Sequence, residues 1–131
     1  MNREIENEIV DMFVWANKRE RIKWELSNKK KREEVVWQRF CHPDIFDKCV
    51  LQDGKSLYLS PKELEDYLFQ LGKTRQVYYM GLNYIGEETL EHAIERMESD
   101  ICLIYLGNGM AFYQEEQDKL PTPRYLLIRK R

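Results

Sequence analysis

Apolar residues open the chain at a helical interval: Ile5, Ile9, Met12, Phe13 and Ala16 fall at i, i+4, i+7, i+8 and i+11. That spacing lines one stripe of an α-helix. From Asn17 to Glu34 the stripe thins to Ile22, Trp24 and Leu26 among charges, which predicts either an exposed helical extension or two helices meeting near Ser27-Asn28. Val36, Trp37 and Phe40 restore an apolar face, and Pro43 is expected to stop it, because proline lacks the amide a continuing helix uses.

Beyond Pro43 the period changes. Cys49-Val50-Leu51-Gln52 and Lys55-Ser56-Leu57-Tyr58-Leu59 flank Asp53-Gly54, a pair that tolerates the positive φ of a tight turn, and so predict a β-hairpin. Ser60-Pro61-Lys62-Glu63 supplies a hydroxyl cap, a proline at the first helical position and a glutamate three residues past the cap. The helix it starts carries Leu64, Tyr67, Leu68 and Leu71 and ends at Gly72. Val77 to Ile85 reads as one strand, and Leu90, Ala93, Ile94 and Met97 mark one face of a short acidic helix. Ile101–Leu106 and Met110–Gln114 flank Gly107-Asn108-Gly109, predicting a second hairpin with Ile104 opposite Tyr113 and Tyr105 opposite Phe112. Leu120-Pro121-Thr122-Pro123 is a short loop before a last strand, Tyr125–Ile128.

This order predicts an α+β fold: an N-terminal helix or helix pair, then a mixed, mostly antiparallel sheet of five or six strands with helices packed on one face. No linker-like stretch divides the 131 residues, so one domain is expected, helical over 1–40 and mixed sheet and helices over 47–131. With 43% hydrophobic and 34% charged residues, the composition is that of a folded chain with a heavily charged surface. No apolar run has the length of a membrane span, and Met1-Asn2-Arg3-Glu4-Ile5-Glu6 lacks the basic-then-apolar order of a signal peptide, so a cytoplasmic location is expected. Cys41, Cys49 and Cys102, odd in number, are expected to be free thiols.

The net charge of −2 conceals a strong asymmetry. Lys18, Arg19, Arg21, Lys23, Lys29, Lys30, Lys31 and Arg32 stand against Glu20 and Glu25 alone over residues 18–32. Between 84 and 118 the balance reverses, with Glu87, Glu88, Glu91, Glu95, Glu98, Asp100, Glu115, Glu116 and Asp118 against Arg96. Such polarity bears on partners more than on fold.

Catalytic signatures are missing from the pattern. Cys41-His42 with Cys49 is the one metal-like grouping, but a structural zinc site needs a fourth ligand, and His92 and Cys102 lie on other predicted elements. Adjacent Cys41 and His42 side chains point apart, which does not suit a nucleophile and its base. Gly107-Asn108-Gly109 joins two strands and opens no helix, so it is no phosphate loop. Neither a metal nor a cofactor is expected. His42-Pro43-Asp44, preceded by the basic run Lys29-Lys30-Lys31-Arg32, resembles the tripeptide of the J-domain co-chaperones. The resemblance covers those three positions and a charge pattern, since a hairpin is expected where a J-domain has its next helix. Read locally, Pro43 stops a helix and Asp44 caps a turn.

What remains is recognition. Tyr78, Tyr79, Tyr84, Tyr105, Tyr113 and Tyr125 fall on expected strands, where alternation should turn some outward as interface anchors. The expected function is therefore a non-enzymatic interaction protein of inhibitor, immunity-protein or regulatory-subunit type. Its expected contact residues are Glu87, Glu88, Glu91, Glu95, Glu98, Tyr78 and Tyr84, facing a cationic protein partner. The alternative is nucleic-acid association through phosphates held by Lys29, Lys30, Lys31 and Arg32, weakened by an isoelectric point near 5.8. A small enzyme with a site not readable from sequence is the third reading.

Overall fold

The structure, a computed structural model, describes residues 2–47, 51–53, 58–116 and 122–129. Helix α1 (Arg3–Phe13) starts where the Asn2 side chain accepts the Ile5 amide at 3.2 Å, and it buries Ile9, Val10, Met12 and Phe13. It ends before Ala16 because Val14 becomes extended and bridges to Phe46. Helices α2 (Arg19–Ser27) and α3 (Lys29–Arg32) meet at Asn28, whose side-chain oxygen accepts the amides of Lys30 and Lys31 at 3.1 and 3.0 Å. That cap decides between the two alternatives for this stretch in favour of separate helices. Helix α4 (Val35–Arg39) buries Val35 and Val36, and Pro43–Ile45 forms a single 3-10 turn.

Six strands form one sheet: β1 (Leu51–Asp53), β2 (Gln76–Gly81), β3 (Ile85–Thr89), β4 (Cys102–Gly107), β5 (Met110–Gln114) and β6 (Arg124–Ile128). Their order is β1-β6-β5-β4-β2-β3, and every ladder is antiparallel. Of the hairpin expected around Asp53-Gly54, residues 54–57 lie outside the described residues, as does Cys49; Leu51–Asp53 forms β1 and pairs with β6. The single strand expected over 77–85 is instead the first arm of a hairpin. The chain turns at Leu82-Asn83, and Ile85–Thr89 returns as the edge strand β3. At the second hairpin Gly107 does pair with Met110, with Asn108 and Gly109 at φ 53 and 75. A bulge between Tyr105 and Gly107 then shifts the register by one, so Ile104 faces Phe112 and Tyr105 faces Ala111.

Helix α5 (Pro61–Gly72) carries the reciprocal Ser60–Glu63 capping box, and α6 (Leu90–Arg96) is capped by Thr89. These two helices pack on one face of the sheet, against Val77, Tyr79, Cys102, Ile104, Leu106, Phe112 and Leu126. Helices α1, α2 and α4 cover the other face, against Tyr78, Met80, Leu103, Tyr105, Ala111, Tyr113 and Leu127, and Arg32 ties α3 to α1 through Glu6. The alternation of neighbours between these sets is the two-residue period of a strand. With both faces covered, outward alternation does not expose the tyrosines: Tyr78, Tyr79, Tyr105 and Tyr113 are all buried. The reverse holds for two tryptophans expected on apolar stripes, since Trp24 and Trp37 face solvent.

Candidate functional site

The acidic set divides into spent and unspent carboxylates. Glu87 and Glu88 precede the acidic helix and lie on β3, with successive side chains on opposite faces. Glu88 accepts Arg96 Nε at 2.7 Å and the Thr89 amide at 3.0 Å, and His92 Nδ1 lies 3.4 Å away. The Arg96 guanidinium, above all, holds the Glu88 carboxyl below the usual range. Tyr84 donates its hydroxyl to the Glu87 carbonyl at 2.6 Å, while Arg96 lies 4.1 Å from its ring centroid. Tyr84 and Glu88 thus occupy main-chain groups of the edge strand from within the chain, a device that blunts edge pairing. Glu87 accepts the Asn2 side-chain amide at 3.2 Å.

Tyr78 is a correction to the expected contact set. It is 2% exposed, and its hydroxyl donates to Glu6 while accepting the Asn2 amide. Burial, followed by the Glu6 carboxylate, pushes its pKa up to about 12.

Glu91, Glu95 and Glu98 behave differently. They are exposed at i, i+4 and i+7, so they form one stripe along α6 and the turn after it. None pairs with a basic residue among the described residues. Beside them opens a cleft of about 460 Å³ between the start of α5 and the end of α6. Leu64, Ile94 and Met97, all buried, form its floor, and the exposed Glu95 and Glu98 form part of its rim. Gln114 and Arg124 contribute one wall, where Arg124 Nε donates to the Gln114 side-chain oxygen at 3.0 Å. Burial lowers the Arg124 pKa from its ordinary value.

The basic set divides in the same way. Arg32 is not available to phosphates, because both its terminal nitrogens bond the buried Glu6 carboxylate at 2.5 and 2.6 Å. Lys29, Lys30 and Lys31 are exposed and make no ion pair with a described residue. The acidic stripe on α6 and the lysines on α3 belong to the layers on opposite faces of the sheet.

Thiol chemistry finds no support in the surroundings of the two described cysteines, both free. Burial pushes the Cys102 thiol up to about 12, and burial followed by Glu116, Asp44 and Glu115 raises that of Cys41. A reactive cysteine needs the opposite shift. Among the described residues no cluster of potential ligands could hold a metal ion, and His92 is turned toward Glu88. No helix among them is long and apolar enough to cross a membrane. His42-Pro43-Asp44 lies at the start of the 3-10 turn, where the Asp44 carbonyl accepts Trp15 Nε1 at 3.1 Å. Comparison with protein-family models, curated proteins and solved structures finds no match.

Proposed function

We propose that this chain is a non-enzymatic cytoplasmic binding protein, of inhibitor, immunity-protein or regulatory-subunit type, that receives a cationic protein partner on α6. The observation that carries this reading is the stripe Glu91, Glu95 and Glu98, without a described basic partner, beside a cleft with an apolar floor. Like charges at i, i+4 cost a helix about 0.2–0.5 kcal/mol, and a basic partner would remove that cost. A lysine or arginine of the partner fits such a place physically: its aliphatic stem lies on Leu64, Ile94 and Met97 while its head meets Glu95 or Glu98. The charges also steer association. Glu88 and Tyr78, spent inside the fold, contribute framework and not contact.

The test is affinity capture from nuclease-treated native lysate by three forms of the chain: unaltered, Glu91→Lys/Glu95→Lys/Glu98→Lys, and Lys29→Gln/Lys30→Gln/Lys31→Gln. A protein retained by the first and third forms and lost by the second supports the reading. Retention by the glutamate variant with loss by the lysine variant overturns it.

A further inference from the structure

A second surface lies on the opposite layer. Trp24 and Trp37 are 47% and 55% exposed, an unusual state for the largest apolar side chain. On α2, Ile22, Glu25 and Leu26 turn inward and leave Trp24 outside; on α4, Val35 and Val36 turn inward and leave Trp37 outside. The two helices are tied together by Arg39, which bonds both Glu25 oxygens at 2.8 and 2.7 Å. Arg21 donates to the same carboxylate at 3.2 Å and lies 4.8 Å from the Trp24 ring centroid. The Arg21 guanidinium thus lies over one face of the Trp24 ring, and about half of that side chain stays open to solvent. In sequence, the exposed Lys29, Lys30 and Lys31 of α3 lie between the two tryptophans, with the exposed Glu33 and Glu34 after them.

The surroundings select the occupant. A lipid surface needs a continuous apolar face to sink with the indole, but the neighbours of Trp24 on α2 are Glu20, Arg21, Lys23 and Ser27. An acidic peptide would use the lysines and leave two flat rings without a role. Single-stranded nucleic acid uses both, because bases stack on exposed aromatic faces while phosphates meet lysines. We propose that the α2–α4 face binds single-stranded nucleic acid without sequence preference, with Trp24 and Trp37 stacking on bases and Lys29, Lys30 and Lys31 neutralising phosphates. This goes beyond the acidic-stripe reading and does not depend on it, since the two surfaces lie on opposite layers.

The experiment titrates the full chain with a short fluorescein-labelled oligo(dT) at low salt, following label anisotropy and, with unlabelled oligomer, tryptophan emission. Stacking predicts quenched emission. Three neutralised phosphates predict a slope of log affinity against log salt near −2, at roughly −0.7 for each single-strand contact. Trp24→Ala and Trp37→Ala should each weaken binding about tenfold or more. The double variant should lose quenching, leaving the emission of Trp15, tied to the Asp44 carbonyl, unaffected. Lys29→Gln/Lys30→Gln/Lys31→Gln should flatten the salt slope, and the Glu91/Glu95/Glu98 reversal should not abolish quenching. Circular dichroism of each variant confirms that it is folded. The proposal is overturned if oligo(dT) does not bind at low salt, if duplex binds as tightly, or if both tryptophan variants bind unchanged. It is equally overturned if polyglutamate or phosphatidylserine vesicles, and not oligo(dT), change the tryptophan emission.

Discussion

Arg32 reaches back across the N-terminal layer to Glu6, closing both terminal guanidinium nitrogens on its carboxylate at 2.5 and 2.6 Å. Tyr78 donates to the same carboxylate from β2, so one buried acid ties α1, α3 and the sheet together. Removing one partner of such a pair strands a charge and costs about 3–5 kcal/mol, whereas replacing both by apolar groups costs far less. Urea denaturation should therefore find Arg32→Ala destabilised on that scale and Glu6→Met/Arg32→Leu closer to the unaltered chain. Equal losses in the two variants would show that the pair is not coupled.

The end of α5 carries a glycine one residue before the position that needs one. Gly72 is helical and faces β4, where an added Cβ would lie 3.0 Å from Leu106 Cβ and 3.1 Å from its carbonyl oxygen. Lys73 takes the left-handed conformation, at φ 55. Gly72→Ala gains about 0.8–1 kcal/mol of helix propensity but meets overpacking of about 1–3 kcal/mol, so a net loss near 1 kcal/mol is expected. Lys73→Gly should stabilise by about 1 kcal/mol, by relieving the cost of a left-handed side-chain-bearing residue. Thermal melts of the two variants should move in opposite directions.

These two sites show which features were legible in the chain. Capping at Ser60-Pro61-Lys62-Glu63 and the Asn108-Gly109 turn are local, and both formed where the residues indicated. Strand β3 escaped because Gly86, Glu87 and Glu88 suit a charged sheet edge and leave little apolar signal. The fate of Arg32 depends on Glu6, a distant residue with no marker of burial in its neighbourhood. The tyrosines were misplaced for the same reason: alternation states which face a side chain takes, but not that both faces are covered. The acidic stripe was legible as charge, while its division from Glu88 rests on Arg96 and the edge strand.

Glu88 and Glu91 should accordingly respond differently to the same reversal. Glu88→Lys removes bonds to Arg96 and the Thr89 amide and sets a cation beside that arginine. A loss larger than that of Glu91→Lys is expected, from the missing Thr89 amide bond and the new repulsion beside Arg96. Unsealing β3 should also raise light scattering on prolonged incubation. Glu91→Lys, exposed on α6, should shift stability by no more than about 0.5 kcal/mol and leave scattering unchanged. Matching losses in the two variants would remove the distinction between framework and contact carboxylates.

Stability should fall at both ends of the pH scale, for opposite reasons. The Arg39 hydrogen bond, followed by the charges of Arg39 and Arg21, holds the Glu25 carboxyl below its ordinary value of 4.5, and Arg96 does the same for Glu88. A folded pKa below the unfolded one means that these pairs stabilise fully above about pH 4.5 and lose their contribution as pH falls through the lower folded value. At the alkaline end, burial raises Tyr78 and Tyr105 from 10.0 to about 12, with Glu6 and Glu8 adding to the shift. Burial also raises Cys102 from 9.0 to about 12. A raised folded pKa on a group that becomes anionic gives stability that is complete below pH 9 to 10 and lost as pH climbs toward 12. Urea midpoints across the pH range should therefore form a plateau with two falling limbs, and tyrosinate absorbance should rise together with unfolding on the alkaline one. Glu25→Gln should flatten the acid limb and leave the alkaline limb in place. Ionisation of Tyr78 or Tyr105 near the ordinary tyrosine value of 10.0 in the folded chain would contradict the buried hydroxyl network on which the alkaline limb depends.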